Sequence, residues 1–167
     1  MSHHALIAGV SGIVGRHLAE HLLSIGGWEV TGISRHGRDL PAGVRSITAD
    51  LGDGPALRAA VAGTPATHVF VTTWSRQPTE AENCRVNGAM VDHLLEAVAG
   101  GKVAHVALVT GTKHYLGPFE AYAKAKPVTP FQWVGQDRLA NLYRKQDRIS
   151  ARVRRGVVAP SEISSPH

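Results

Sequence analysis

Apolar runs and stretches of helical periodicity alternate along the amino-terminal part of the chain. Continuous or period-two apolar segments at residues 5–10, 29–34, 44–49, 68–72 and 105–110 predict strands. Between them, residues 12–25, 55–62 and 81–99 carry the 3.6-residue spacing of helices. The first of these is amphipathic, marked by Ile13, Val14, His17, Leu18, His21, Leu22 and Ile25. Glycine, proline and aspartate mark the connections, as in Gly26-Gly27, Pro41-Ala42-Gly43, Gly52-Asp53-Gly54-Pro55 and Gly100-Gly101. Strand–helix alternation with Val-, Ile- and Leu-rich strands predicts an α/β fold, a doubly wound parallel sheet covered on both faces. No internal repeat or low-complexity tract interrupts the order.

The first strand runs directly into Gly9-Val10-Ser11-Gly12-Ile13-Val14-Gly15 and then a helix. Gly9 permits the tight turn, Gly12 allows backbone to approach a pyrophosphate, and Gly15 lets helix and strand pack closely. A helix N-terminus adds N–H donors and a positive dipole end. This context of strand, glycine loop and helix predicts a Rossmann NAD(P)-binding fold, with Gly9, Ser11, Gly12, Ile13 and Gly15 at the cofactor.

Composition bounds the rest. The chain has 167 residues, 43% hydrophobic and 19% charged, which suits one globular domain. A single cysteine, Cys84, excludes an internal disulfide, fits a reducing cytoplasm, and reads as a packing residue. No apolar run approaches the roughly 20 residues that span a bilayer, and no secretory signal pattern opens the chain. His3-His4 reads as a solvated N-terminus. Ten histidines form no metal-ligand spacing except His17 and His21, four apart on the first helix and read as a partly solvated face, so no metal site is predicted. The formal charge of +5 fits a phosphorylated cofactor together with a basic stretch from Arg138 to Arg155. That stretch lacks the aromatic interleaving of a nucleic-acid surface, so nucleic acid is disfavoured as a partner.

The second strand ends Ser34-Arg35-His36-Gly37-Arg38, without an acidic residue to accept the ribose 2′-OH of NAD. Ser34 and Arg35 therefore predict NADP, with a solvated loop arginine as the alternative. Asp50, followed by Leu51, is placed either to reach an adenine amino group or to cap the following turn. Thr72, Thr73 and Trp74 end the fourth strand and would border the ribose and nicotinamide side, although Trp74 equally suits a core or rim position. The fifth strand gives way to the polar cluster Thr110-Gly111-Thr112-Lys113-His114-Tyr115 at the carboxyl edge, where open α/β sheets bind ligands. A lysine there can hold a ribose and lower the pKa of a nearby acid, and a tyrosine can donate a proton.

Residues 5–20, 68–74, Glu82-Asn83-Cys84-Arg85-Val86-Asn87-Gly88 and the run Thr110 to Glu120, with its Lys113-His114-Tyr115-Leu116-Gly117-Pro118-Phe119-Glu120, resemble the progesterone 5β-reductase/iridoid synthase branch of the short-chain dehydrogenases/reductases. Relatives of this type are often called NAD-dependent epimerase/dehydratase proteins. The resemblance covers about the first 130 residues. It implies an extended NADPH-dependent oxidoreductase that reduces the C=C bond of a small-molecule enone or related carbonyl substrate. It further implies that Arg35 meets the 2′-phosphate, Asp50 the adenine, Thr110 the cofactor and Lys113 the reaction. The branch carries its catalytic tyrosine in an Asn-Phe-Tyr-Tyr motif, matched here by Asn141-Leu142-Tyr143-Arg144. Tyr143 is the candidate proton donor, and Arg144 stands where the second tyrosine would be. Tyr115 would line the pocket.

Residues 1–131 thus form the expected NAD(P)-binding domain, and residues 132–167 a residual, diverged or frameshifted C-terminal segment in which the family's substrate portion is missing. Uncovered apolar surface would favour marginal stability or a homo-oligomer. An NADP-binding module without turnover is the alternative function.

Overall fold

The computed structural model describes residues 3–109. In chain order these form β1 (His3–Ala8), α1 (Ile13–Ile25), β2 (Trp28–Ser34), β3 (Arg45–Thr48), α2 (Gly54–Val61), β4 (His68–Val71), α3 (Glu80–Val98) and β5 (His105–Leu108). The strands lie in one sheet of order β3-β2-β1-β4-β5, and every adjacent pair is parallel. The order reverses at β1, between β2 and β4, and leaves the crevice at the carboxyl ends of these strands where a doubly wound sheet takes its ligand.

Period-two alternation on the central strands feeds two cores. Ala5, Ile7 and Val30 face α1 and pack with Val10, Ala19 and Leu22. Leu6, Ala8, Ile33, Val69 and Val71 face the opposite way and pack with Leu57 of α2 and Val91 and Leu94 of α3. Each fully buried leucine or valine removes enough apolar surface from water to contribute about 2 kcal/mol. The predicted doubly wound α/β fold is the observed one.

Two details depart from the sequence reading. Helix α1 buries Gly15, Ala19 and Leu22, while Ile13, Val14 and Ile25 are exposed along with His17 and His21, the two that were expected on a solvated face. The close approach of Gly15 to the β1 turn fixes the rotation of the helix, and it overrides the larger apolar side chains at the ends. His4 is not a solvated terminus. Parallel pairing with β2 extends back to His3↔Trp28, so His4 lies inside β1, buried, with Nε2 2.8 Å from Thr31 Oγ1. Cys84 is half-buried on α3, as a packing residue would be. Among the described residues no helix is long and apolar enough to cross a membrane, and no cluster of His, Cys, Asp or Glu is arranged to hold a metal ion.

Candidate functional site

The three helices begin differently, and the difference marks the site. Asp53 caps α2 by accepting from the Ala56 N–H at 3.1 Å, and Thr79 caps α3 by accepting from the Glu82 N–H at 3.2 Å. Acidic Glu80 and Glu82 also complement the first turn of α3. Helix α1 has Gly12 at its N-cap, no side-chain cap and no acidic residue in its first turn. Its first-turn N–H groups and positive dipole end are therefore left for an anion.

The backbone around this end is held by the sheet. The Gly9 N–H donates to the Ile33 carbonyl at 3.0 Å, and the Gly9 carbonyl accepts from the Gly12 N–H at 3.0 Å. Gly9 has φ +87°, and an added Cβ would meet Thr73 at 2.9 Å, so the turn requires glycine twice over. A Cβ on Gly15 would lie 2.7 Å from Thr72 Oγ1 and closer still to the Gly9 carbonyl oxygen. These positions form a cradle that only hydrogen fits.

A groove of about 450 Å³ opens at the carboxyl edge beside this cradle. Gly9, Ser11 and Gly12 form one wall, Ser34, Arg35, Asp50 and Leu51 the end under β2 and β3, and Thr72, Thr73 and Trp74 the β4 side. Ten of the residues expected at the cofactor are thereby brought together. Ile13 and Gly15 are not part of the lining: the Ile13 side chain is exposed at the start of α1, and Gly15 is buried beneath the turn. Thr110, Lys113, Tyr115 and Tyr143 lie outside the described residues, as do residues 132–167.

Local hydrogen bonds hold the walls. The buried Ser34 hydroxyl accepts from the Gly37 N–H at 3.0 Å, which folds the loop after β2 and leaves Arg35 exposed over the groove. Asp50 Oδ1 accepts from the Gly52 N–H at 2.7 Å. Asp50 thus caps the turn that follows it, one of the two roles open to it, and it also lines the groove; the N-cap of α2 is Asp53.

Ala49, Gly52, Ser75, Val86 and Met90 complete the lining and escaped the sequence reading. Val86 and Met90 are four apart on one face of α3. That spacing is visible in the sequence, but not that the face meets the groove. Asn83 and Asn87, within the stretch that carries the family resemblance, were given no role. Asn87 is 3% exposed; its Oδ1 accepts from the Ser75 N–H and its Nδ2 donates to the Ser75 carbonyl, both at 2.7 Å. Asn83 Oδ1 accepts from the Gln77 N–H at 2.7 Å. Two buried amides thus clamp the loop that carries Trp74 and Ser75 to the helix that supplies Val86 and Met90. Their sequence signals were the family resemblance of residues 82–88 and polar side chains placed where an α3 core face would run.

An uncapped helix N-terminus beneath a glycine cradle, with an arginine at the far end of the same groove, fits a phosphate-bearing dinucleotide. The model of the NAD dependent epimerase/dehydratase family matches residues 5–152. The chain belongs to that family. Among curated relatives, an (S)-8-oxocitronellyl enol synthase of Camptotheca acuminata is 42% identical over 139 residues, 75% of this chain and 35% of the relative. A 3-oxo-Δ(4,5)-steroid 5-β-reductase of Arabidopsis thaliana is 39% identical over 158 residues, 87% of this chain and 40% of the relative. The chain therefore spans well under half the length of these relatives, and they bear out the resemblance to the 5β-reductase/iridoid synthase branch. Of solved structures, a putative epimerase from Burkholderia cenocepacia J2315 superposes with TM-score 0.71 at 23% identity, covering 93% of this chain and 52% of its own. The Bordetella bronchiseptica enzyme WbmH in complex with NAD+ gives TM-score 0.66 at 16% identity, over 99% and 60%. At these identities the likeness is one of fold.

Proposed function

We propose that this protein holds NADP(H) in the carboxyl-edge groove and acts as an oxidoreductase on the C=C bond of an enone or a related carbonyl compound. One observation carries the cofactor choice. Arg35 lines the groove at the end of β2, where a carboxylate would accept the ribose hydroxyls of NAD and none stands. A guanidinium there pairs with a 2′-phosphate through two parallel N–H donors.

In this reading the first-turn N–H groups of α1 take the pyrophosphate, and Asp50 accepts from the adenine amino group. Thr73 and Trp74 border the nicotinamide half. When bound, the dinucleotide supplies a hydride. Two residues carried over from the family resemblance act on the substrate side. Lys113 lowers the pKa of a neighbouring hydroxyl through its charge, and Tyr143 stabilises the oxygen on which negative charge develops and protonates it. The 42% and 39% identities to the first two relatives bear on the fold and reaction class; the enone itself is read from their names. Residues 1–131 would be the cofactor domain of this enzyme.

Dissociation constants for NADPH and NADH, measured by nicotinamide fluorescence, test the cofactor. NADPH should bind the wild-type chain more tightly, and equal affinities would overturn NADP. Turnover is tested by nicotinamide absorbance with a panel of small enones. Oxidation of NADPH that disappears in Lys113→Ala supports the reductase, and binding without any oxidation leaves a dinucleotide-binding module in its place.

A further inference from the structure

Thr72 is the first residue past β4, and its backbone N–H continues the β4–β1 ladder by donating to the Ala8 carbonyl at 2.9 Å. Its hydroxyl points at the same turn. Thr72 Oγ1 donates to the Ala8 carbonyl at 2.8 Å and lies 3.3 Å from the Gly9 carbonyl. The space a Gly15 side chain would occupy is closed by this same oxygen at 2.7 Å. One hydroxyl therefore touches the last residue of β1, the first glycine of the loop, and the underside of α1.

A hydroxyl has a single proton, and here it is spent on backbone carbonyls. We infer that Thr72 is a positioning residue: it sets the distance between the β1 turn and the N-terminus of α1, and so the aim of the first-turn N–H groups, rather than binding the cofactor itself. The inference rests on the reading of the groove as a dinucleotide site.

The geometry makes the side chain hard to replace by its closest apolar isostere. A methyl at the position of Oγ1 would stand 2.8 Å from the Ala8 oxygen, whereas C–H···O contacts settle at about 3.3–3.6 Å. Valine must therefore push the end of β1 away from β4 and displace the turn relative to α1. Serine keeps the hydroxyl, and alanine removes it without intruding.

Binding of the dinucleotide that the wild-type chain prefers, together with binding of adenosine 2′-phosphate, tests the inference on purified Thr72→Val, Thr72→Ala and Thr72→Ser. Adenosine 2′-phosphate lacks the pyrophosphate and reads the Arg35–Asp50 end alone. Thr72→Val should weaken the dinucleotide about tenfold or more, Thr72→Ala about threefold, and Thr72→Ser should stay within about twofold of wild type. Adenosine 2′-phosphate should bind all four chains alike. Equal losses in the valine and alanine variants would show that the hydroxyl contacts the ligand directly and would overturn the inference. Wild-type affinity in Thr72→Val, or loss of adenosine 2′-phosphate along with the dinucleotide, would overturn it as well. A wild-type chain that binds neither NADPH nor NADH overturns the cofactor reading, and the inference falls with it.

Discussion

The two ends of the same sheet solve opposite problems. At the carboxyl edge, β1 and β2 run out into Gly9, Gly12 and Ser34, small residues that let backbone and N–H groups approach a ligand. At the amino edge, those strands and their neighbours begin with rings. The His3 and Trp28 rings lie 4.7 Å apart, Trp28 and His68 4.8 Å, and His68 and His105 5.9 Å. On the opposite face His4 is buried against Thr31, with Nδ1 3.5 Å from Glu29. One edge is opened by what is left off the side chains, and the other is closed by what they add. A parallel sheet makes this division possible, because every strand starts at one edge and finishes at the other.

The sharpest break of the open edge is Gly15→Ala. Its methyl would strike the Gly9 carbonyl, a backbone atom fixed at both ends, so α1 must move off the sheet. Dinucleotide affinity should fall by about a hundredfold, and urea unfolding should register a loss of about 2 kcal/mol. Wild-type affinity would show that the cradle does not need its close packing.

Arg35→Ala comes next and leaves the fold alone, since the side chain is exposed. NADPH should weaken by about thirtyfold with NADH unchanged, which titrations of the two cofactors would read directly. A parallel loss for both would place the arginine somewhere other than at a 2′-phosphate.

Asn87→Ala removes the clamp between α3 and Ser75 and leaves a half-buried peptide group without its partners. A destabilisation of about 2 kcal/mol in urea is expected, with a smaller weakening of cofactor. Unchanged stability would mean that the loop is held by other contacts.

The closed edge should give the smallest effect, and one that depends on pH. Burial lowers the pKa of His4 below 6.5; Glu29 opposes the shift and Arg45 adds to it. Burial also lowers that of His68, with the His3 and His105 rings adding to it. Both imidazoles therefore take up protons more readily in the unfolded chain than in the folded one. Stability is fully present above about pH 6.5 and declines as the pH falls below it, toward the depressed folded-state values. Thermal unfolding followed between pH 7.5 and 5.5 should show that decline. His68→Gln should flatten it, while the carboxyl-edge variants should leave its slope unchanged.

Much of the open edge was legible because its chemistry is local. Gly9, Gly12 and Gly15 are informative by their spacing, and Ser34-Arg35 by standing just past a strand. The closed edge was not, because His3-His4 at the start of a chain carries no periodic signal and becomes a strand only through pairing with Trp28 and Glu29. Ile13 and Val14 misled for a related reason. Hydropathy weighs side chains, whereas the orientation of α1 is decided by the absence of one at Gly15. Asn83 and Asn87 carried a family resemblance but no role, since an amide is recognised as a clamp only once the peptide it binds is known.

By itself, then, the sequence determined the alternation of strands and helices, the glycine turn, the basic residue after β2 and the family. These depend on neighbours in the chain, or on residue types that only certain backbones accept. Tertiary structure decided which face of α1 is buried, that His4 is buried, that Asp50 lines the groove while it caps its turn, and that the Thr72 hydroxyl and the Asn87 amide shape the groove. Each of those rests on a contact between residues far apart in sequence, where the partner's position, not the residue's type, sets the outcome.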